Sequence, residues 1–305
     1  TGRMFQTSGN ARYVDIVENC LYNSILSGIS LDGKRYFYTN PLRISADLPY
    51  TLRWPKQRTE YISCFCCPPN TLRTLCEVQN YVYTLSDEGV WCNLYGGSEL
   101  DTEWMGNHIQ LLQETDYPWD GAVSITLKEV PEKKSLSLFL RVPEWCTKAT
   151  LAVNDVPVTT DLKAGTYAEI KRIWKKGDRV AFVMGMEPVL LESHPLVEET
   201  RNQVAVKRGP VVYCLESMDV EAGKRIDDIL IPADIKFSPV KTEIAGSRVT
   251  VLDGIAHSVD SDSWEGKLYR KVAENGDRIP IRLIPYYAWG NRGESEMTVW
   301  MLLER

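Results

Sequence analysis

Apolar residues follow a helical rhythm near the start of the chain and a strand rhythm later on. Val14, Val17, Leu21 and Ile25 lie at helical spacing, which predicts an amphipathic helix over residues 13–27 closed by Gly28. Asp32-Gly33, set between the apolar runs 29–31 and 36–38, predicts a hairpin. The proline-punctuated stretch 40–58 reads as loop. Pro68 and Pro69 suit a first helical turn, where a missing N–H costs nothing. Leu72, Leu75, Cys76, Val82 and Tyr83 then mark one face of a second helix, stopped by Asp87-Glu88-Gly89.

From Val90 onward short alternating runs dominate: 121–127, 135–141, 148–153, 167–173 and 179–183. Asn154-Asp155 and Lys176-Gly177-Asp178 supply turn chemistry between them, at the spacing of a β-sandwich. A second β-rich region begins near Pro188, with strands expected at 203–206, 211–215, 248–251, 281–284 and 297–303. The chain thus divides into a helical region, 1–88, and two β-sandwich domains, 89–187 and 188–305, giving an α+β multidomain fold. The charged stretch 219–228 reads as a solvated loop.

Composition narrows the function classes. With 44% hydrophobic and 25% charged residues the chain reads as ordinary globular protein. The net charge is -6 and no long basic run exists, which argues against a nucleic-acid partner. No stretch is apolar for long enough to cross a bilayer, so no membrane partner is expected. Nine Trp and fifteen Tyr provide aromatic surface that can stack on sugar rings, although most belong in cores and interfaces. A start of Thr1-Gly2-Arg3-Met4, close to a helix and without a leading Met, suggests the C-terminal part of a longer protein. Of eight cysteines, Cys20, Cys76, Cys92, Cys146 and Cys214 are scattered singly, as free thiols are. The compartment stays open between cytoplasm and periplasm or secretion.

The other three thiols lie together, at Cys64, Cys66 and Cys67, directly before Pro68-Pro69-Asn70. Adjacent cysteines rarely meet disulfide geometry. Three thiols within four residues suggest metal binding or thiolate chemistry. The competing reading is three small hydrophobes packed in a core. Zinc coordination deprotonates a thiol, and a helix start adds the positive end of the helix dipole. Two or three local ligands leave a four-ligand zinc shell incomplete.

Cys66-Cys67-Pro68-Pro69-Asn70 resembles the signature of zinc-dependent β-L-arabinofuranosidases with a cysteine nucleophile, glycoside hydrolase families 127 and 146. The resemblance extends upstream through residues 31–42 and downstream through 117–121, 141–146, 207–213 and 284–293, covering most of the chain. It implies that the helical region is the last part of an (α/α)6 catalytic barrel. By motif position Cys66 would be nucleophile and zinc ligand, and Cys67 a second Zn2+ ligand; the role of Cys64 is open. The family's remaining glutamate and cysteine ligands and its general acid/base lie upstream, and nothing in the resemblance assigns those roles to Glu18 or Cys20. It follows that this chain alone would not turn over.

The resemblance implies that the hairpin strand carrying Tyr36 and Tyr38 approaches the sugar pocket, which makes Tyr38 a substrate-binding candidate, the alternative being an aromatic packed against the barrel; Trp54 and Asn70 are lesser candidates, and Asn70 reads rather as a helix cap. His108, His194 and His257 are isolated and lack metal-ligand spacing. The implied reaction is retaining hydrolysis of a terminal β-L-arabinofuranosyl or related furanosyl unit on a plant-type glycan, with the upstream part of the same protein as partner. A second reading is a carbohydrate-binding β-sandwich protein without catalysis. A third makes the β-domains a scaffold and homodimer interface.

Overall fold

The computed structural model describes residues 2–46, 51–63, 66–259, 267–269, 271 and 276–304. It is a mixed fold, poor in helix and rich in strand, with two compact units. The first comprises Thr1–Tyr22 and Leu72–Glu187, the second Asn23–Thr71 and Pro188–Arg305.

In the first unit two sheets face each other. One has six strands in the order Ser98–Trp104, Asn107–Thr115, Ala122–Glu129, Arg179–Met184, Ala149–Val153, Val156–Pro157. The other has four, in the order Thr166–Ile173, Ser135–Val142, Gly89–Cys92, Tyr83–Leu85. Alternation along the strands sends Ile109, Leu111, Ile125, Leu127, Val180 and Phe182 into the space between the sheets, against Leu136, Leu138 and Leu140. This is the expected sandwich. Its turns fall where expected, with Asn154 and Asp155 both at positive φ (49° and 63°).

The strand Ser135–Val142 is buried on both faces. On the face away from the six-stranded sheet, Phe139 stacks on Trp91 with centroids 3.9 Å apart. Helices α1 (Gly2–Ser8) and α2 (Ala11–Asn19) cover that face through Phe5 and Val14, joined by Leu21 just beyond α2. Arg141 also points this way and is fully buried. Its guanidinium donates to Asn93 O, Asp15 Oδ1 and Glu18 Oε1. Glu18 accepts further bonds from the Tyr117 hydroxyl at 2.6 Å and the Trp145 indole N–H at 3.2 Å. Burial disfavours the Arg141 charge, but Glu18 and Asp15 outweigh it and hold the guanidinium protonated. Burial raises the Asp15 pKa, only partly offset by Arg141, and Asp15 Oδ2 is buried without a hydrogen-bond partner.

The expected helix over 13–27 forms, capped by the Asn10 side chain on Arg12 N, but it widens to a π-helix over Cys20–Ile25. The side-chain spacing gives no sign of that change.

The second helix is shorter than its apolar face predicts. Helix α3 is Cys67–Glu77, followed by a 3-10 turn at Val78–Tyr81. Tyr83 instead opens a strand that pairs with Gly89–Cys92, so Asp87-Glu88-Gly89 is a hairpin turn. The hairpin wins because Gly89–Cys92 also pairs in parallel with the buried strand Ser135–Val142.

Among the described residues, the strands of the second unit pair into one ten-stranded sheet. Val211–Glu216 pairs with Arg278–Pro285, then in turn come Ser247–Ser258, Ile229–Pro232, Met301–Glu304 and Gln203–Arg208. Gln203–Arg208 pairs back onto Val211–Glu216, closing the ring into a small barrel. The expected strand at 297–303 breaks into Met297–Thr298 and Met301–Glu304. Within the expected loop 40–58, Arg43–Ile44 adds to Met297–Thr298.

Candidate active site

The site is built from residues of the second unit that surround the start of α3. Pro68 and Pro69 occupy the first turn of α3, so the chain enters the helix directly from Cys66. The Cys66 carbonyl accepts from Asn70 N at 3.2 Å and from the Asn70 side-chain amide at 2.7 Å. Asn70 therefore does not cap the helix. It reaches back and pins the peptide that carries Cys66.

Cys66 is exposed and Cys67 half-buried. Their Sγ atoms stand 3.6 Å apart, and Cys66 Sγ lies 3.9 Å from the Tyr38 hydroxyl. Tyr38 stacks on Trp54 with ring centroids 3.8 Å apart, and the Arg53 guanidinium lies 5.0 Å from the Trp54 ring. The structure thus brings Cys66, Cys67, Tyr38, Trp54 and Asn70 to one place. Cys64 lies outside the described residues.

The hairpin expected before the site is reduced to a tight turn. Ile29 bridges Tyr36, and Tyr36 also bridges Thr59. Ser30 O accepts from Gly33 N at 2.9 Å, and the Asp32 carboxylate accepts from the Ser30 hydroxyl and from Lys34 N. The Ser30 bond, with the Lys34 N–H second, holds the Asp32 carboxyl below its ordinary value.

The two thiols fit one zinc ion. Tetrahedral bonds of about 2.3 Å place two sulfurs on one metal about 3.8 Å apart, close to the 3.6 Å found between Cys66 and Cys67. Two ligands are half of a zinc shell, and among the described residues no group of three or more His, Cys, Asp or Glu could hold a metal. The histidines are engaged locally: His108 with Asp101 at 2.8 Å, His257 with Glu304, and His194 Nδ1 with Leu196 N at 3.2 Å.

One residue near the site escaped the sequence reading. Arg58 is buried and donates only to main-chain carbonyls, those of Ser27, Tyr287 and Trp289. Burial lowers its pKa to about 10, partly offset by Tyr286 and Glu216. An arginine in a proline-punctuated loop carries no sequence signal that it will be buried.

Comparison with known proteins covers nearly the whole chain. Three family profiles match in succession: "Beta-L-arabinofuranosidase, GH127 catalytic domain" over residues 1–80, "Beta-L-arabinofuranosidase, GH127 middle domain" over 89–186, and "Glycoside hydrolase family 127 C-terminal domain" over 188–302. A non-reducing end β-L-arabinofuranosidase of Bifidobacterium longum subsp. longum is 30% identical over 98% of this chain and 46% of its own length. A solved structure described as a glycoside hydrolase shares 65% identity, with a TM-score of 0.96 over 99% of this chain and 50% of its own. A solved GH127 β-L-arabinofuranosidase from Geobacillus stearothermophilus T6 shares 36% identity, with a TM-score of 0.91 over 99% of this chain and 48% of its own. The chain spans about half the length of the relatives it matches.

Proposed function

Because the chain belongs to glycoside hydrolase family 127, we propose that it is the C-terminal part of a retaining hydrolase that removes terminal β-L-arabinofuranosyl or related furanosyl units from plant-type glycans. Residues 1–88 would complete an (α/α)6 catalytic barrel, with β-domains at 89–187 and 188–305. The observation that carries the reading is the exposed Cys66 thiol at the start of α3, 3.6 Å from the Cys67 thiol and 3.9 Å from the Tyr38 hydroxyl.

Cys66 and Cys67 would hold Zn2+, completed by upstream ligands; the ion, when bound, keeps both thiols ionised. The Cys66 thiolate attacks the anomeric carbon as the bond to the leaving oxygen breaks, and that oxygen takes a proton from an upstream acid. In the second displacement a water oxygen attacks the same carbon, the carbon–sulfur bond breaks, and the acid's conjugate base takes the water's proton. Two inversions leave the configuration retained. The start of α3 favours negative charge on Cys66, and Asn70 fixes the peptide that carries it. The Tyr38 hydroxyl, 3.9 Å from Cys66 Sγ, would contact a hydroxyl of the furanosyl ring.

The test is hydrolysis of an aryl β-L-arabinofuranoside by the full-length protein and its Cys66→Ala variant, with zinc content measured on both. Activity lost in the variant supports the thiolate nucleophile. Unchanged activity in Cys66→Ala would overturn it. A folded, zinc-containing protein that is inactive on this glycoside would move the substrate to another furanoside. Sugar binding that needs neither zinc nor Cys66 would point to a binding module. The 305-residue chain by itself is expected to be inactive, and Cys66-dependent turnover by it would contradict the upstream placement of the acid/base.

A further inference from the structure

Arg58 is a buried cation that the proposed chemistry leaves unused. Its Nε donates to Ser27 O at 3.2 Å, and its Nη2 donates to Ser27 O at 2.9 Å and Tyr287 O at 3.0 Å. Its Nη1 donates to Trp289 O. The guanidinium carbon lies 4.4 Å from the Phe37 ring centroid, and Phe37 stacks on Trp289 at 4.8 Å and 13°. Burying a charge is costly, and an apolar side chain could fill space as well. What a guanidinium adds is a planar fork that meets several carbonyls while one face lies on an aromatic ring.

The clamped segments are those that carry the aromatic pair beside Cys66. Phe37 immediately precedes Tyr38, and Arg58 lies in the same loop as Trp54, shortly after it. Thr59, next to Arg58, exchanges both backbone bonds with Tyr36, at 2.9 and 3.0 Å. The guanidinium therefore fixes both chain segments whose side chains form the Tyr38–Trp54 stack, and the Tyr38 hydroxyl is 3.9 Å from Cys66 Sγ.

We infer that Arg58 is a positioning residue: by tying the Phe37 segment and its own loop to the 287–289 turn, it sets the Tyr38–Trp54 wall against which the furanosyl ring is held for attack by Cys66. The inference rests on the reading of Cys66 given above. Displacement of a positioning group by about an ångström can cost up to about a hundredfold in rate.

The experiment is a double-mutant cycle in the full-length protein, combining Arg58→Lys with Trp54→Ala. Two rates are read: kcat/KM on an aryl β-L-arabinofuranoside, and the rate at which iodoacetamide alkylates Cys66, resolved by peptide mass spectrometry. Each single variant should lower kcat/KM by about tenfold or more, and the double variant should lose no more than the worse single one. Cys66 alkylation should change at least about threefold in Arg58→Lys and Trp54→Ala, with the same non-additivity. If Arg58 serves stability alone, Arg58→Lys melts earlier but keeps wild-type kcat/KM per folded molecule and wild-type alkylation, and the inference fails. Losses that multiply in the double variant also overturn it. Should Arg58→Lys not fold, Phe37→Leu removes the ring beneath the guanidinium and must show the same coupling to Trp54→Ala. The alkylation cycle needs no turnover, so it tests Arg58 even if the arabinofuranoside proves the wrong substrate.

Discussion

Replacing Arg141 with methionine tests how α2 is held to the sandwich of the first unit. The change keeps an unbranched apolar stem and removes three hydrogen-bonded contacts, to Asn93 O, Asp15 and Glu18. Glu18 keeps Tyr117 and Trp145 as donors, and Asp15 keeps only the Glu144 N–H at 3.3 Å. The buried Glu18 and the partly buried Asp15 carboxylates then lose their Arg141 counter-charge. Breaking a buried pair by removing one partner costs about 3–5 kcal/mol. At 1.4 kcal/mol per tenfold, that is roughly a hundredfold to several-thousandfold loss of hydrogen-exchange protection in the strand Ser135–Val142, if that strand exchanges by unfolding of the unit.

The deficit carries a pH signature. Without Arg141 the Asp15 carboxyl has a folded-state pKa further above its unfolded one, because burial already raises it and the main opposing charge is gone. A raised acid stabilises the fold while protonated and loses that contribution as pH rises through the folded value. The deficit of Arg141→Met should therefore be largest near neutrality and shrink toward pH 4. Adding Asp15→Asn and Glu18→Gln should recover most of the loss, since no buried charge then remains. A deficit below about 1 kcal/mol at neutral pH, or one that grows on acidification, would refute this account of the cluster.

Three further outcomes are expected. Gly121→Ala should destabilise the first unit by about 1–3 kcal/mol or more, read by urea unfolding, because a Cβ there would stand 1.9 Å from Met184 O, whose own N–H bonds Gly121 O. Asp178→Ala should cost about 1–3 kcal/mol, since Asp178 accepts from the Asn154 side chain at 2.8 Å and from Lys175 N at 2.9 Å. Burial opposes the Asp178 charge, but those bonds win and lower its pKa, so its contribution should be present above the ordinary aspartate range and fade as pH falls through the lowered value. In the full-length protein, Cys67→Ser should lower the bound zinc per chain measured by elemental analysis, and an unchanged zinc content would remove Cys67 from the ligand set.

Much of the strand pattern was legible because alternation has a direct physical cause: one face of a sandwich strand meets the core and the other meets water. The strands at 135–142 and 179–184 follow that rule or run as apolar stretches. The second helix was overextended because Val82 and Tyr83 fall on its apolar face, while their competing partner, Gly89–Cys92, gains its advantage only from the neighbouring strand Ser135–Val142. Closure of the second unit's sheet was likewise hidden, since the pairing of Gln203–Arg208 with both Met301–Glu304 and Val211–Glu216 joins distant parts of the chain.

The sequence by itself determined the family, through Cys66-Cys67-Pro68-Pro69-Asn70 and the stretches around it, and placed two thiols at a helix start. Local rules suffice there, because prolines fix the first turn and adjacency fixes the cysteines. Only the tertiary structure decided that Tyr38 stands 3.9 Å from Cys66, that Trp54 stacks on it, and that Arg58 and Arg141 are buried. Those facts depend on the path of the chain in space. A charged side chain looks alike in sequence whether water or a ring of carbonyls receives its protons, and only folding chooses between them.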